Sequence, residues 1–491
     1  MIDIQPGALT KRQEGLALAL VLGLCLFVYL VNLDGVYLAD DDEGMYMYQA
    51  WLITLGEQPY QEFLTPQQPL FLYTGAGLMR LTDVKALPLR VVSTALVLGS
   101  GVLVYFLGRC LLVPRLALVA TLAFLFHPDL VRYARAYRPE AFMLPWLSLG
   151  LYWFVRRMDG SSRWRLAGVG VALGLATLYK LFAFLTLAGC VLALVSHWFA
   201  NPSSWRCLAR DLGWLVGSYL LVAGGMWVVF LLAQPVYYGA LIGHQVRQGS
   251  ELGLSAILVK GLGFLLGYGL GYVSLLVFAV PAALSRLWRR KGDEPLAWQF
   301  VTVGAFLVIS RELMPRHLMY LIPVFIICFA LALRPLLALP RRSPLLLMVV
   351  VAVVLPWVIQ DTFWVNSTDR DTSVVVDYIR THTEPTDTVL ADYPELNFYA
   401  RRPTTYHGSS LSGGAVLGGQ TTGAILIEEL EATNARLVLI DVSSDTAHQL
   451  VNLRDYSDFR TYLARQYQVV DMLPRGRQVL EVWMRQERGE E

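Results

Sequence analysis

The sequence is poor in charged residues, and this scarcity indicates the class of protein. Of its 491 residues only 16% are charged, whereas 55% are hydrophobic, and the mean hydropathy is +0.49. Soluble globular domains carry about 25% charged residues, so the composition predicts a membrane protein with many spans. The formal net charge is only +2. The basic residues are dispersed along the chain, which excludes the basic stripe required for nucleic-acid binding.

The sequence also lacks the motifs of a disulfide framework, a zinc site or a nucleotide-binding loop. Its five cysteines form no CxxC pair and lie in or next to apolar runs, which predicts that they pack as small hydrophobic residues. The glycine-rich segment 413–423 has neither GxGxxG nor P-loop spacing, and we expect a flexible loop there. No small-residue cleavage site follows the first apolar run, residues 16–33, so we expect a retained membrane anchor.

Long apolar runs, in contrast, are abundant. Eleven runs are candidates to cross about 30 Å of hydrocarbon, although several are short: 16–33, 88–108, 116–130, 140–155, 166–179, 181–199, 212–233, 257–284, 297–310, 317–333 and 344–360. We therefore predict a polytopic α-helical membrane protein with about eleven transmembrane helices.

The positions of the basic residues predict which side each connection faces. With a cytoplasmic N-terminus, every inside connection is basic, and together these connections hold seventeen Lys and Arg residues, as the positive-inside rule requires. The outer face then receives residues 34–87, a tight turn near Lys180, and everything after residue 360. We predict a multi-pass protein of the cytoplasmic membrane.

After residue 360 the apolar runs shorten to strand length, as in 387–393 and 435–442, and alternate with helix-like stretches. This alternation predicts an α/β domain. We therefore divide the chain into a transmembrane catalytic domain, residues 1–360, and an extracytoplasmic α/β domain, residues 361–491.

Four consecutive acids, Asp40 to Glu43, follow the first apolar run. They could simply cap the first helix in water. The stretch that follows, however, is amphipathic, aromatic and rich in proline and glycine, a pattern expected for helices lying in the membrane interface. A long, ordered first outside loop of this kind indicates a functional site.

Several motifs, taken in order and by topological side, carry a resemblance to a known family. They are "DE-x-x-Y" (Asp42, Glu43, Tyr46), "LGEQPYQEF", "QQPLFLY", "HPDLVRYARAYRPEAF", "TLYKLFAF" and "RELMPRHLMYLIP". Over residues 15–360 the chain resembles the GT-C membrane glycosyltransferases of the protein O-mannosyltransferase and aminoarabinose transferase (ArnT-like) group. The resemblance implies a GT-C fold, a polyprenyl-phosphate-linked sugar donor, and Asp42 as general base.

The chemistry of such a transfer gives reasons for these residue types. A carboxylate must accept the proton of the acceptor hydroxyl, and positive charge must stabilise the departing phosphate. We expect Asp42 and Glu43 to be catalytic. Further residues on the same predicted side are expected to bind substrate: Asp41, Tyr46, Glu62, Arg138, Glu140, Lys180, Arg316 and His317.

Lys180 is one of only five lysines, against thirty-five arginines, and it interrupts an apolar stretch. It either snorkels to the membrane surface or binds the donor phosphate, as the resemblance implies. Arg316 and His317 are alternative phosphate contacts, although basic residues commonly flank helices.

A metal requirement stays open at this stage. The ArnT-like enzymes have an acid and a lysine before the proline of "QQPL", whereas this chain has Gln67 and Gln68, which leaves Glu62 as the candidate second acid. His127 and His244 lack the paired spacing of metal ligands. No cofactor is required by the sequence, and a divalent metal is the open option.

The leading interpretation is a glycosyltransferase that moves a sugar from polyprenyl phosphate to an acceptor hydroxyl at the outer face, with inversion. Its partners would be the lipid-linked donor, the bilayer, and a glycan, lipid or protein acceptor. A transporter or lipid flippase is the first alternative, but it predicts charges near the bilayer midplane and two similar halves. A membrane-anchored sensor with an outer binding domain is the second alternative.

Overall fold

The computed structural model of the protein describes residues 9–35, 41–158, 164–200, 204–233, 253–271, 279–285, 294–309, 315–337, 348, 350–352, 354–360, 371–443 and 449–486. Contacts divide the chain into two compact units.

The first unit, Met1–Leu33, Arg90–Val228 and Gly253–Asn366, is built of apolar helices. Its described helices are α1 Lys11–Leu30, α4 Ala86–Leu111, α5 Pro114–Leu125, α6 Pro139–Met158, α7 Trp164–Tyr179, α8 Phe184–Ala200, α9 Trp205–Tyr219, α10 Gly225–Ala233, α11 Leu254–Gly271, α12 Glu294–Ile309, α13 Ile322–Ala332 and α14 Arg334–Leu337. The first residues of α4 and the last residues of α10 are assigned to the second unit.

The predicted apolar runs overlap described helices, and the last run, 344–360, overlaps the apolar helix Val350–Gln360. Parts of the runs 257–284 and 344–360 lie outside the described residues. Four helical segments in the described part of the chain are long and apolar enough to span a bilayer: Lys11–Leu30, Ala86–Leu111, Leu181–Ala200 and Trp205–Ala233. The total of eleven crossings stays a prediction.

Close helix packing in the first unit depends on small residues. Gly170 of α7 faces α9, and a Cβ added there would clash with Ser218 and the Leu215 carbonyl and lie 2.9 Å from the Tyr219 nitrogen. The two backbones therefore approach closely, as small residues permit in membrane helices. Beside this contact the Tyr219 hydroxyl donates a hydrogen bond to Thr177 Oγ1 at 3.2 Å.

The second unit comprises Asp34–Leu89, Val229–Leu252 and Ser367–Glu491. Its helices are α2 Asp41–Leu55, α3 Pro69–Thr82, α15 Asp371–His382, α16 Pro394–Ala400, α17 Gly413–Leu417, α18 Gly423–Ala432 and α19 Tyr456–Gln466. Its strands are β1 Val389–Ala391, β2 Leu437–Asp441, β3 Tyr467–Arg475 and β4 Gln478–Arg485. The predicted alternation of strands and helices after residue 360 is therefore present.

A four-stranded sheet of order β1-β2-β4-β3 forms the centre of the C-terminal region. Strand β2 is parallel to β1 and antiparallel to β4, and β3 pairs antiparallel with β4. Alternate residues point to opposite faces of a strand, so Val438 and Ile440 enter one hydrophobic core while Leu437 and Leu439 enter the other. Both faces of β2 are thus covered, which matches its continuous apolar sequence.

The prediction of a flexible loop at 413–423 was wrong in its first half. Residues Gly413–Leu417 form the short helix α17, whose N-cap Ser412 accepts a hydrogen bond from the Ala415 amide at 3.3 Å. The cap satisfies an amide that would otherwise lack a partner in the first turn, and this stabilises a helical turn despite two glycines.

Helix α2 differs from the amphipathic pattern expected of an interfacial helix. Its residues 43–53 are buried on all sides, mainly against α3 and α16. A helix buried all round has no single apolar face to rest on a membrane. The first loop thus packs into the same compact unit as the C-terminal sheet domain. Whether the helices of this loop lie in the interface stays a prediction, as does the domain boundary at residue 360.

Candidate functional site

The predicted catalytic carboxylates lie in the first turn of α2. Asp42 is half-buried and Glu43 is 2% exposed. Acidic residues are favoured in a first helical turn because the helix dipole is positive there. The side chain of Asp41 lies outside the described residues.

The body of α2 is held by polar contacts with the C-terminal region. Gln49 donates a hydrogen bond from Nε2 to the Ser409 carbonyl at 3.1 Å and accepts one from Thr65 Oγ1 at 2.9 Å. The Tyr48 hydroxyl accepts a hydrogen bond from the Thr404 amide at 2.9 Å. Because these buried groups find hydrogen-bond partners in one arrangement of the elements, they help to specify the position of α2 along its axis.

Tyr46 and Glu62, both predicted to bind substrate, have clear local contacts. The Tyr46 ring packs edge-on against Phe71 of α3 with a centroid distance of 5.4 Å, and the residue is only 3% exposed. Glu62 is exposed, and its carboxylate accepts a hydrogen bond from the Gln58 amide within a turn. Their substrate roles stay predictions.

A second cluster of predicted site residues lies in the first unit. Glu140 Oε1 is 2.8 Å from Lys180 Nζ, and Glu140 Oε2 is 3.2 Å from Arg138 Nε. The side chains of Glu140, Arg138 and Lys180 are 1%, 0% and 13% exposed, respectively. The structure therefore brings together three residues that the sequence predicted separately. The sum of these three formal charges is +1.

Local chain geometry explains how this cluster forms. Helix α6 begins at Pro139, which suits a first helical position because its missing amide hydrogen is not needed there, and this places Glu140 in the first turn. Helix α7 ends at Tyr179, and Lys180 is extended (φ −141°, ψ 115°) before a 3-10 turn at Leu181–Ala183. The tight turn predicted near Lys180 is thus present.

Breaking this buried cluster has a high energetic cost. A buried charge left without its partner costs about 3–5 kcal/mol. Lys180 is therefore more than a lysine that snorkels from an apolar helix end, because its ammonium neutralises a buried carboxylate.

Of the other predicted phosphate contacts, only His317 has a described side chain. It lies in the 3-10 turn Pro315–Leu318, with its ring edge-on to Phe182 at a centroid distance of 5.8 Å. The side chain of Arg316 and all of His244 lie outside the described residues.

No group of three or more His, Cys, Asp or Glu residues suited to a metal ion occurs in the described part of the chain. His127 is buried, and its Nδ1 is 3.9 Å from the carboxylate of Asp129. Its ring packs against Trp357 with a centroid distance of 5.3 Å.

The sequence reasoning missed a buried ion pair at the start of α2. Glu395 in the first turn of α16 pairs with Arg475 at the end of β3, and their side chains are 3% and 2% exposed. A Cβ added at Gly44 of α2 would clash with the Cβ of Glu395. The glycine beside the acids was the only signal in the sequence, and glycine alone does not identify a distant partner.

Comparisons with known proteins agree with the motif-based resemblance. Residues 65–229 match the family model of dolichyl-phosphate-mannose-protein mannosyltransferases. The structure is similar to ArnT from Cupriavidus metallidurans in the apo state, with a TM-score of 0.66 and 17% identity over 94% of this chain and 97% of ArnT. The same protein bound to undecaprenyl phosphate gives a TM-score of 0.65 at 17% identity, with the same coverage of both chains.

A second solved relative is the oligosaccharyltransferase AglB from Archaeoglobus fulgidus, in complex with an inhibitory peptide and a dolichol-phosphate. Its TM-score is 0.60 at 13% identity, over 93% of this chain and 73% of AglB. No curated protein sequence matches the chain. The matches confirm the predicted resemblance to GT-C membrane glycosyltransferases, and the solved structures show that the chain shares the fold of ArnT and AglB.

Proposed function

We propose that the protein transfers a sugar from a polyprenyl-phosphate donor to an acceptor hydroxyl at the outer face of the cytoplasmic membrane. The observation that carries this proposal is the fold, which matches 97% of ArnT, a protein also solved with undecaprenyl phosphate. The polyprenyl chain of such a donor is apolar and lies in the membrane. The apolar helices of this protein suit the same surroundings.

In the proposed reaction, Asp42 is the general base. The acceptor oxygen forms a bond to the anomeric carbon while the bond from that carbon to the phosphate oxygen breaks. The acceptor proton passes to the carboxylate of Asp42, and the departing phosphate keeps the electron pair. A single displacement from the side opposite the phosphate inverts the configuration of the sugar.

Lys180 is proposed to stabilise the departing phosphate. An ammonium has three N–H donors, and Glu140 accepts one of them. The cluster of Arg138, Glu140 and Lys180 carries an excess positive charge, which suits a group on which negative charge increases during the reaction. Arg316 and His317 are the further proposed phosphate contacts.

The base assignment is tested by Asp42→Asn, because an amide keeps the shape of the side chain but accepts no proton. We expect transfer to fall about 10²–10⁴-fold, while affinity for undecaprenyl phosphate stays near that of the unchanged protein. The measurement is turnover of the purified protein with a panel of polyprenyl-phosphate sugars and acceptors.

Asp40→Asn, Asp41→Asn and Glu43→Gln are the matched variants. A large loss in Asp41→Asn or Glu43→Gln with normal turnover in Asp42→Asn would move the base to that neighbour. Loss of folded protein in Asp42→Asn, with full turnover per folded molecule, would instead indicate a structural cap.

A further inference from the structure

The start of α2 is in contact with a buried ion pair from the C-terminal region. Gly44 lies two residues after Asp42 and one after Glu43 in the first turn. The pair consists of Glu395 and Arg475, whose side chains are 3% and 2% exposed. All of these residues belong to the same compact unit.

Contact at Gly44 is made by backbone as well as side-chain atoms. A Cβ added to Gly44 would clash with the Cβ of Glu395 and would lie 2.9 Å from the Cα of Glu395 and 2.7 Å from its Oε2. A side-chain rotation cannot relieve a clash with the Cα. The two helices can therefore meet here only because residue 44 lacks a side chain.

Arg475 fixes Glu395 in this place. Its guanidinium pairs with the carboxylate of Glu395, donates from Nε to Thr372 Oγ1 at 2.8 Å, and lies over the Tyr393 ring at 4.2 Å from the centroid. A planar guanidinium held on several sides is much less free to move than a side chain held by a single flexible contact. Glu395 therefore presents a fixed surface to α2.

A second contact holds the far end of α16 to the first loop. Arg401 ends α16 in the left-handed conformation (φ 58°) and donates a hydrogen bond to the Val84 carbonyl. Its guanidinium also lies 5.5 Å from the centroid of the Trp51 ring on α2. Helix α16 is thus anchored at both ends against the segment that carries the candidate base.

We propose that the Glu395–Arg475 ion pair is a positioning element for the proposed base, acting through Gly44. The pair touches the helix turn that carries Asp42 and Glu43, and it sets where their carboxylates stand relative to the acceptor hydroxyl. This proposal rests on the proposed function, and it assigns the C-terminal region a part in catalysis without direct contact with substrate.

The test compares Gly44→Ala with Gly77→Ala in the purified full-length protein. Both glycines lie inside helices, so both changes have the same favourable effect on helix propensity, but a Cβ at Gly77 has no neighbour within 4 Å. We expect Gly44→Ala to lower kcat about 100-fold, the size of effect that a displacement of about 1 Å produces in catalysis. Gly77→Ala should keep the kcat of the unchanged protein.

A positioning role and a purely structural role give different kinetic results. If Gly44→Ala moves the base, kcat per folded molecule falls while the Kd for undecaprenyl phosphate changes by less than about 2-fold, since the proposed phosphate ligands are elsewhere in the sequence. If the contact only supports folding, the yield and Tm fall while kcat per folded molecule is unchanged, and the proposal is overturned.

Glu395→Gln serves as a second variant in case Gly44→Ala does not fold. It keeps the side-chain volume but weakens the hold of Arg475, and we expect a kcat lowered by about 10-fold and faster hydrogen exchange of the amides of residues 45–48. Normal kcat in this variant, together with an inactive Asp42→Asn, would overturn the positioning role alone. A wild-type protein without any transfer would instead overturn the proposed function, and an active Asp42→Asn would overturn only the assignment of Asp42 as the base.

Discussion

At the scale of single residues, the pairing of Lys180 with Glu140 changes how a substitution of this lysine is interpreted. A loss of activity in Lys180→Ala could come from a lost phosphate contact or from a buried carboxylate left with less compensation. The 2.8 Å contact makes the two causes inseparable in a single variant, because removing one member of a buried pair is costly in itself.

We predict that Lys180→Met and the double variant Lys180→Met/Glu140→Gln both lose at least about 10-fold in affinity for undecaprenyl phosphate, which corresponds to about 1.4 kcal/mol. The double variant removes the carboxylate along with the ammonium, and because Arg138 then also loses its contact with Glu140, we expect its Tm to fall below that of Lys180→Met. The measurements are the Kd for the lipid phosphate and the Tm.

Glu140→Gln alone is the matched control, since it keeps the ammonium and the shape of its partner. Full affinity in the double variant would show that Lys180 serves only to neutralise Glu140. The phosphate role would then pass to Arg316 or His317.

At the scale of secondary-structure elements, two carboxylates lie at the ends of the parallel strands of the sheet. Asp392 follows β1 and accepts hydrogen bonds from the amides of Asp441 and Leu450 at 2.7 and 2.8 Å. Asp441 ends β2, and its carboxylate accepts a hydrogen bond from the Tyr393 hydroxyl at 2.7 Å. Burial raises the pKa of Asp392 to about 7, and the nearby Asp441 adds to this, although the backbone hydrogen bonds oppose it.

The raised pKa predicts that this sheet becomes less stable as pH increases. The folded state holds the Asp392 proton up to a pH of about 7, whereas the unfolded state releases it near its ordinary pKa of about 3.9. Between these values the folded state binds more protons, so the free energy of unfolding falls with rising pH, by at most about 1.4 kcal/mol per pH unit, and levels off above about pH 7.

Hydrogen exchange of β1 and β2 in the full-length protein, corrected for the intrinsic exchange rates, measures this effect between pH 5 and 8. Asp392→Asn should flatten the dependence because an amide does not ionise in this range. Protection that increases from pH 5 to 7 in the unchanged protein would contradict the prediction.

The elements themselves were largely predictable, whereas their partners were not. Helices such as α4 and α8 follow from long apolar runs, and β2 follows from the short run at 435–442, because a period or a length in the sequence reports directly on local structure. The contact of Gly44 with Glu395, in contrast, joins positions far apart in the chain. Such a contact leaves no periodic signal in a single sequence, so the burial of α2 was not foreseen.

The candidate site shows the same division. The residue types required by the chemistry identified Glu140, Arg138 and Lys180 individually, and the turn at Lys180 was expected from the interrupted apolar run. Glu140 contacts both cations because of how the helices pack. This packing depends on the rotation of each helix about its axis and on its position along that axis, as well as on composition.

At the scale of the whole molecule, the positive-inside pattern predicts a cytoplasmic N-terminus and an outer C-terminus. We expect alkaline phosphatase fused after Glu491 to be active, because this enzyme requires the outer compartment. The same reporter fused after Arg157, in a connection predicted to face inside, should be inactive. Enzyme activities of the two fusions in intact cells measure this, and the reverse result would refute the topology.

The packing of the first loop also limits what truncation can show. Deleting residues 366–491 would remove Ser409 and Glu395, which contact the helix that carries Asp42. Loss of transfer in such a truncated protein would therefore be expected for a glycosyltransferase as well as for a sensor whose outer domain does the work. Substitutions that leave the C-terminal region in place separate these interpretations more directly.

The contact between Gln49 and Ser409 has a consequence for the time course of biosynthesis. The two residues are 360 positions apart, and a ribosome adds about 5–20 residues per second. Helix α2 is therefore complete roughly 20 to 70 s before its partner segment is made. During this interval its apolar side chains must be covered by lipid or a chaperone, and the amide of Gln49 must be hydrated or bound by one of these. This region is therefore among the first to be synthesised and among the last to reach its native packing.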